Sequence, residues 1–82
     1  MKEEIKELTL LLLYLTSWED DDSPEDVQVR RSWKGYPFKI LDELRDEDLI
    51  FGSNRAKSVY IKEKGIEEAK KLIEKYIEQE EN

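Results

Sequence analysis

The sequence lacks two residue types on which much protein chemistry depends, because its 82 residues include no cysteine and no histidine. Without cysteine there is neither a disulfide bond nor a thiolate ligand for a metal ion. Without histidine the usual general base and zinc ligand is also missing. Carboxylates remain, but no companion base, nucleophile or glycine-rich phosphate loop accompanies them. We therefore expect a protein that is not an enzyme and that needs no cofactor or metal.

Long apolar runs are absent as well. The longest uncharged run, residues 8–18, is shorter than the roughly 20 residues that a membrane-spanning helix needs. The preceding residues 2–7 are rich in acidic side chains, unlike the start of a signal peptide. We expect a cytoplasmic protein with no membrane or small-molecule partner. Residues 1–82 fit one small domain, with an acidic connector at 19–26 and a frayed tail at 78–82.

Charge is plentiful but unevenly distributed along the chain. The net charge of −7 ordinarily opposes binding to a polyanion. Residues 1–26 carry two basic and nine acidic side chains, residues 27–62 carry eight and five, and residues 63–82 carry four and seven. The middle segment is thus the only basic one, and contacts with nucleic acid are expected there.

The first helix is apolar on more than one side. Residues 3–18 are predicted to be helical because apolar side chains recur at spacings of three and four, at Ile5, Leu8, Leu11, Leu12, Leu15 and Trp18. Leu10, Leu13 and Tyr14 widen this stripe. A helix that is apolar on nearly all sides must be covered on nearly all sides. We expect either a homodimer interface at Leu10, Leu13 and Tyr14 or cover from the last helix.

Two interpretations of residues 24–34 stay open. Residues 19–26 read EDDDSPED and lack the sixth-position glycine of an EF-hand loop, so they are expected to be solvated rather than metal-binding. Ser23 and Pro24, followed by acidic residues, resemble a helix start, which predicts a helix to about Lys34. In contrast, Val27, Val29 and Trp33 alternate with polar residues, which indicates a strand.

Residues 37–65 contain a helix, two strands and the start of another helix. Pro37 is placed to begin a helix that ends near Glu47, with Phe38, Leu41 and Leu44 facing inward. Residues 49–51 and 58–62 read as two strands joined by a polar, basic tip. The last helix begins near Gly65. This order predicts an α+β fold, specifically a small winged helix-turn-helix-like domain with a β-hairpin wing followed by a last helix.

Three motifs carry a resemblance to a known class of protein. They are SWKGY at 32–36, LDEL at 41–44 with the Leu-Ile pair at 49–50, and AKSVY at 56–60. On these motifs the chain resembles an uncharacterised family of small prokaryotic winged-helix proteins. The resemblance implies a reading helix, here 37–47, for the major groove of DNA and a wing, here 53–57, for the backbone or minor groove. It implies no reaction, because winged helices serve transcription regulation, protein interaction and dimerisation.

The candidate contacts to double-stranded DNA are mainly cationic side chains of the basic segment. They are Arg30, Arg31, Lys34, Lys39, Asn54, Arg55 and Lys57. Acidic side chains at 42, 43, 46 and 47 oppose phosphate contact, so only the first turns of the reading helix suit a groove. The alternative function is a protein-interaction or homodimerisation module that acts through the first helix and binds no nucleic acid.

Two aromatic residues beside these cations also have two interpretations. Trp33 and Tyr36 lie next to Arg31 and Lys34, a combination that suits stacking with the bases of single-stranded nucleic acid. Anchoring in the core is the favoured interpretation, because a small domain needs its large aromatic side chains for burial.

Two positions depart from the winged-helix pattern and generate a prediction. Where winged helices commonly place a left-handed glycine, before the Leu-Ile pair, this chain has Asp48. Where many place a capping threonine, it has Lys62, which cannot accept a hydrogen bond. We predict that Asp48→Gly and Lys62→Thr each raise the melting temperature by roughly 2 to 8 °C. Thermal unfolding measures the change, and a lower melting temperature in either variant would show that this register is wrong.

Overall fold

Three helices cover one face of a four-stranded antiparallel sheet in the computed structural model, which describes residues 2–19, 29–33, 35–52 and 57–78. The elements are α1 (Lys2–Leu15), β1 (Trp18–Glu19), β2 (Arg30–Trp33), α2 (Phe38–Asp46), β3 (Ile50–Phe51), β4 (Ser58–Ile61) and α3 (Glu63–Tyr76). The predicted α+β class and the order of helix, strand pair and last helix are confirmed. Strand β1 was not predicted, because Trp18 was expected to end the first helix and Glu19 to begin the acidic connector.

The sheet has one buried face and one outer face. Its strands lie in the order β1-β2-β4-β3, and residues that pair directly across strands share a face. Ile61 pairs with Ile50 and Val59 with Ser32, and all four are buried beneath the helices. The alternate residues point to the other face, so the period of two separates the core from the outer surface.

Residues 30–33 form a strand, which decides part of the open question about residues 24–34. Val29 has no regular structure, and residues 24–28 lie outside the described ranges. Between the end of β2 and the start of α2 there are four residues, too few for another helix. The helix-turn-helix pair is therefore not formed at this place, because α2 follows a strand rather than a supporting helix.

The core face of α1 differs from the predicted one. Leu10 and Leu13, two of the three residues predicted to meet a second subunit, are 1% and 0% exposed, and Tyr14 packs against the same core. They contribute to the core of the single chain, so Leu10 and Leu13 have almost no exposed surface left for a second subunit. The reason is that α1 packs against α2, α3 and β2 simultaneously, and this side of the helix faces all three.

Phe38 is a second correction within the core. It was expected to face inward with Leu41 and Leu44, which are indeed buried. Phe38 itself is 63% exposed. It is the first residue of α2, because Pro37 occupies the N-cap rather than the first helical position. A side chain in that first turn extends beyond the part of α2 that packs on the sheet.

The turn after α2 holds a residue in the left-handed region. The N–H of Leu49 donates to the carbonyl of Leu44 at 3.0 Å, and the N–H of Asp48 donates to that of Arg45 at 2.9 Å. These two bonds form a Schellman motif, which requires a positive φ at Asp48, and that angle is 66°. Lys62 is the N-cap of α3 and makes no side-chain capping bond. Both positions singled out from the sequence are thus confirmed.

Gly65 lets the first turn of α3 approach the end of α2 closely. It is buried, and a Cβ placed on it lies only 2.2 Å from the carbonyl oxygen of Leu49. That oxygen already accepts a hydrogen bond from the N–H of Lys62 at 2.9 Å, so it is held in place. A larger residue at position 65 therefore needs a backbone shift.

We predict that Gly65→Ala lowers the free energy of unfolding by roughly 2 kcal/mol or more, although alanine is the better helix former. Chemical denaturation of the two proteins measures the difference. The matched control is Gly35→Ala, because a Cβ on Gly35 meets nothing within 4 Å. Equal stability of Gly65→Ala and the natural protein would contradict the close approach.

Candidate functional site

The predicted DNA contacts Arg30 and Arg31 lie on opposite faces of the sheet. Arg30 is on the helix side, where its guanidinium donates to the carbonyl of Ser17 at 2.9 Å and lies 5.8 Å from the centre of the Tyr14 ring. Arg31 is on the outer side, where Nε donates to Ser58 Oγ at 2.8 Å. The two cations therefore do not share a surface, because neighbours in a strand point to opposite faces.

The remaining predicted contacts divide into two groups. Lys39 and Lys57 are exposed, the first in the opening turn of α2 and the second just before β4. Lys34, Asn54 and Arg55 lie outside the residues that the structure describes. Asp42, Asp46 and Glu47 are exposed on or just after α2. The described part of α2 thus presents one exposed lysine and several carboxylates to solvent.

Among the described residues, the outer side of the sheet carries a row of aromatic side chains around Arg31. Trp18, Arg31, Tyr60 and Phe51 pair across the four strands in that order, and Trp33 lies two residues from Arg31 on the same face. Trp18 and Trp33 have ring centres 5.2 Å apart, and Phe51 stacks on Tyr60 at 4.8 Å. The Arg31 guanidinium lies 5.3 Å from the Tyr60 ring centre. We call these five residues the aromatic face.

Trp33 was expected to anchor the core, and this is wrong. Its side chain is 64% exposed, because residue 33 falls on the outer side of the strand register. Tyr36, in contrast, is half-buried and packs against the core, as expected. The sequence named one member of the aromatic face as a stacking residue and did not bring together the other three rings.

A second exposed apolar surface runs along α1. Ile5, Leu8, Leu12 and Leu15 are 43%, 40%, 47% and 50% exposed, and their spacing of three, four and three residues places them in one line. We call these four residues the α1 seam. It lies on the opposite side of the helix from Leu10 and Leu13. Of the stripe that was expected to face the core, Leu11 is buried, whereas these four residues are exposed.

Charged side chains join α1 to the other two helices. The Glu7 carboxylate accepts hydrogen bonds from Tyr76 Oη at 2.6 Å and from Lys75 Nζ at 2.9 Å. The bond from Tyr76, followed by that from Lys75, lowers the pKa of Glu7. On the other side, Lys6 pairs with Glu47, and this hydrogen bond raises the pKa of Lys6. These groups hold the orientation of α1 and therefore of the α1 seam.

Several of the charged side chains that line the cleft among the three helices are paired. It has a volume of about 170 Å³ and includes Lys6, Glu7, Glu47 and Lys64 in its lining. Lys64 donates to the carbonyl of Glu47 at 3.0 Å. The pKa of Lys6 is raised and that of Glu7 is lowered, so both groups are shifted away from neutral pH. A general acid or base needs shifts in the opposite directions.

Within the described ranges no group of three or more carboxylate, histidine or cysteine side chains is arranged to hold a metal ion. The acidic run at 20–26 lies outside those ranges. None of the three described helices has the length and apolar character needed to cross a bilayer.

The fold and surfaces define a small α+β module with two exposed apolar surfaces. A family model described as a domain of unknown function, DUF6429, matches residues 1–79. The chain belongs to this family. No curated protein and no solved structure matches it. Any function must therefore be argued from the surfaces themselves.

The Glu7 bonds predict a pH dependence of stability. A carboxyl group whose pKa is lower in the folded chain stabilises it above the unfolded pKa, near 4.5, and this contribution is lost as the pH falls through the folded pKa. We predict that Glu7→Gln destabilises the protein at pH 7 and that the difference from the natural protein shrinks below about pH 4.5. Denaturant unfolding at several pH values measures it. The control is Glu67→Gln on exposed α3 surface. A difference that is constant with pH would refute the assignment.

Proposed function

We propose that this protein is a non-catalytic interaction module that self-associates through the α1 seam. The observation that carries the proposal is the line of four aliphatic side chains, each 40 to 50% exposed, in a chain of which 43% is charged. Such a chain has ample charged residues to cover its surface, so an uninterrupted apolar stripe marks an interaction site. The folded helix also needs no further ordering before it binds, which lowers the entropy cost of association.

A second copy of the chain is the occupant that fits the spacing. Positions 5, 8, 12 and 15 follow the alternating spacing of a heptad, the pattern with which two helices interlock side chains. Two such stripes are complementary to each other by symmetry, as in an isologous dimer. Between Ile5 and Leu15 the seam is about 15 Å long. This is short, so the interface is at the low end of specific interfaces and a dissociation constant of roughly micromolar size is expected.

An antiparallel arrangement of the two seams is favoured. It places Ile5 against the partner copy's Leu15 and Leu8 against Leu12, so every seam residue has an apolar partner. It also sets the two helix dipoles in opposite directions. A parallel arrangement brings together the two first turns, which contain Glu3 and Glu4. Those like charges oppose it.

The winged-helix assignment and DNA binding stay predictions from the sequence. The sheet order β2-β4-β3 followed by α3 supports a wing-like strand pair, whereas the single helix between β2 and β3 does not supply a helix-turn-helix. Lys39 and Lys57 are exposed and favour contact with duplex DNA through 37–47 and 53–57. The carboxylates on and beside α2 oppose it, so self-association is the function we favour.

We predict that the natural protein forms a dimer in a concentration-dependent way. Combining Leu8→Glu with Leu12→Glu should raise the dissociation constant of this dimer at least tenfold. Light scattering on a sizing column, over roughly 5 to 500 μM protein, measures this. Both positions are already 40 to 47% exposed, so the fold should persist, and circular dichroism checks it. The control is Trp33→Glu, which places the same charge on a 64% exposed apolar residue of the sheet. A natural protein that is monomeric at every concentration would refute the proposal.

The orientation is tested with single cysteines, because the natural chain has none. A mixture of Ile5→Cys and Leu15→Cys should form a disulfide-linked heterodimer on mild oxidation, whereas Ile5→Cys alone should crosslink poorly. Efficient crosslinking of Ile5→Cys alone would show a parallel dimer.

A further inference from the structure

The aromatic face has features that self-association through α1 does not use. It lies on the side of the sheet that the helices leave uncovered, whereas the α1 seam lies on the helical side. Trp33 and Phe51 are 64% and 43% exposed, and Trp18 and Tyr60 are half-buried beside them. The rings form two pairs, Trp18 with Trp33 and Phe51 with Tyr60, and Arg31 lies between these pairs. Their arrangement therefore requires a separate explanation.

We propose that the aromatic face binds single-stranded nucleic acid, with two or three bases stacked on its rings. Adjacent strands lie about 4.8 Å apart, so the row from Trp18 to Phe51 spans roughly 14 Å across the sheet. This length accommodates a few unstacked bases, and four-stranded sheets with exposed aromatic side chains are known to take two or three. Flat rings accept any base, because every base has a π face.

Arg31 on this side of the sheet, with Lys57 next to it at the start of β4, complements a phosphate backbone. Arg31 is held by the Ser58 hydroxyl at 2.8 Å and lies against the Tyr60 ring, so its planar group has a fixed position among the rings. Lys57 is exposed beside Ser58, which pairs directly with Trp33. Both belong to residues 27–62, the only segment with net positive charge. One cation thus lies on the stacking surface itself, and a second lies at the start of β4.

A single strand fits this surface better than a duplex does. In a duplex the faces of the bases are covered by their neighbours, so exposed rings on a sheet find no stacking partner. The binding should weaken as salt is raised, but with a shallow slope, because the slope grows with the number of phosphates that cations neutralise and only a few local cations are present. We expect a dissociation constant of roughly tens of micromolar at about 50 mM salt.

Intrinsic fluorescence reports on this site directly, because the chain has two tryptophans and both lie on the aromatic face. The experiment titrates the protein with eight-nucleotide oligo(dT) and oligo(U) at about 50 mM salt. Stacked bases should quench the fluorescence, and the quenching at a given oligonucleotide concentration should decrease as salt is raised. A duplex of the same length should quench much less.

Substitutions locate the site. Trp33→Ala should weaken binding roughly tenfold or more, with Trp18 still reporting, while Trp33→Phe should retain most of the affinity because a ring remains. Phe51→Ala should weaken it similarly. Phe38→Ala removes a 63% exposed aromatic side chain from α2 and is the matched control, expected to bind as the natural protein does. Lys57→Glu should weaken binding and reduce its salt dependence.

Three outcomes would overturn this proposal. They are no quenching by either single strand, quenching that Trp33→Ala and Phe51→Ala leave unchanged, and equal or tighter binding of the duplex. Dissociation of a dimer by Trp33→Glu would show instead that a protein covers the aromatic face. The double variant Leu8→Glu, Leu12→Glu should leave the quenching unchanged. Failure of the self-association proposal can therefore be distinguished from failure of this one.

Discussion

Leu49 is the residue through which α2, the strand pair and α3 are joined. Its N–H closes the Schellman turn at Leu44, and its carbonyl accepts the N–H that precedes α3. The same carbonyl lies so close to α3 that only glycine fits at position 65. Its side chain is buried in the core. Because the N–H and the carbonyl of Leu49 make all these backbone contacts, the end of α2 fixes the direction of α3. Helix α3 in turn packs against α1.

The position of α1 decides which surfaces remain for function. Leu10 and Leu13 enter the core formed with α2, α3 and β2, and ion pairs on both sides of α1 hold its rotation. The α1 seam then faces away from the sheet. On the other side of the sheet, none of the three described helices covers the aromatic face. The protein therefore offers two separate apolar surfaces, one aliphatic on a helix and one aromatic on a sheet, which suit different kinds of partner.

Different interactions hold the α1 seam and the aromatic face in position. The bonds to Glu7 are made at the edge of α1 and depend on a carboxylate that stays ionised at neutral pH. The aromatic face is ordered by ring stacking, by strand pairing and by the hydrogen bond that Arg31 donates to the Ser58 hydroxyl. Neither set contains a group shifted toward a catalytic pKa. The charged side chains of the cleft connect the helices to one another.

The sequence by itself determined the local elements. Periodicity predicted α1, α2, α3 and the paired strands to within a few residues. Turn chemistry located the left-handed residue Asp48 and the N-cap position of α3, where Lys62 makes no side-chain capping bond. Tertiary structure alone decided which side of α1 is buried, because both sides are apolar and helical spacing is the same on each. It also decided that Trp33 faces outward, since the face of a strand residue depends on its register with β1 and β4. Register brings Trp18, Tyr60 and Phe51 beside it from distant parts of the chain, and no local pattern records that pairing.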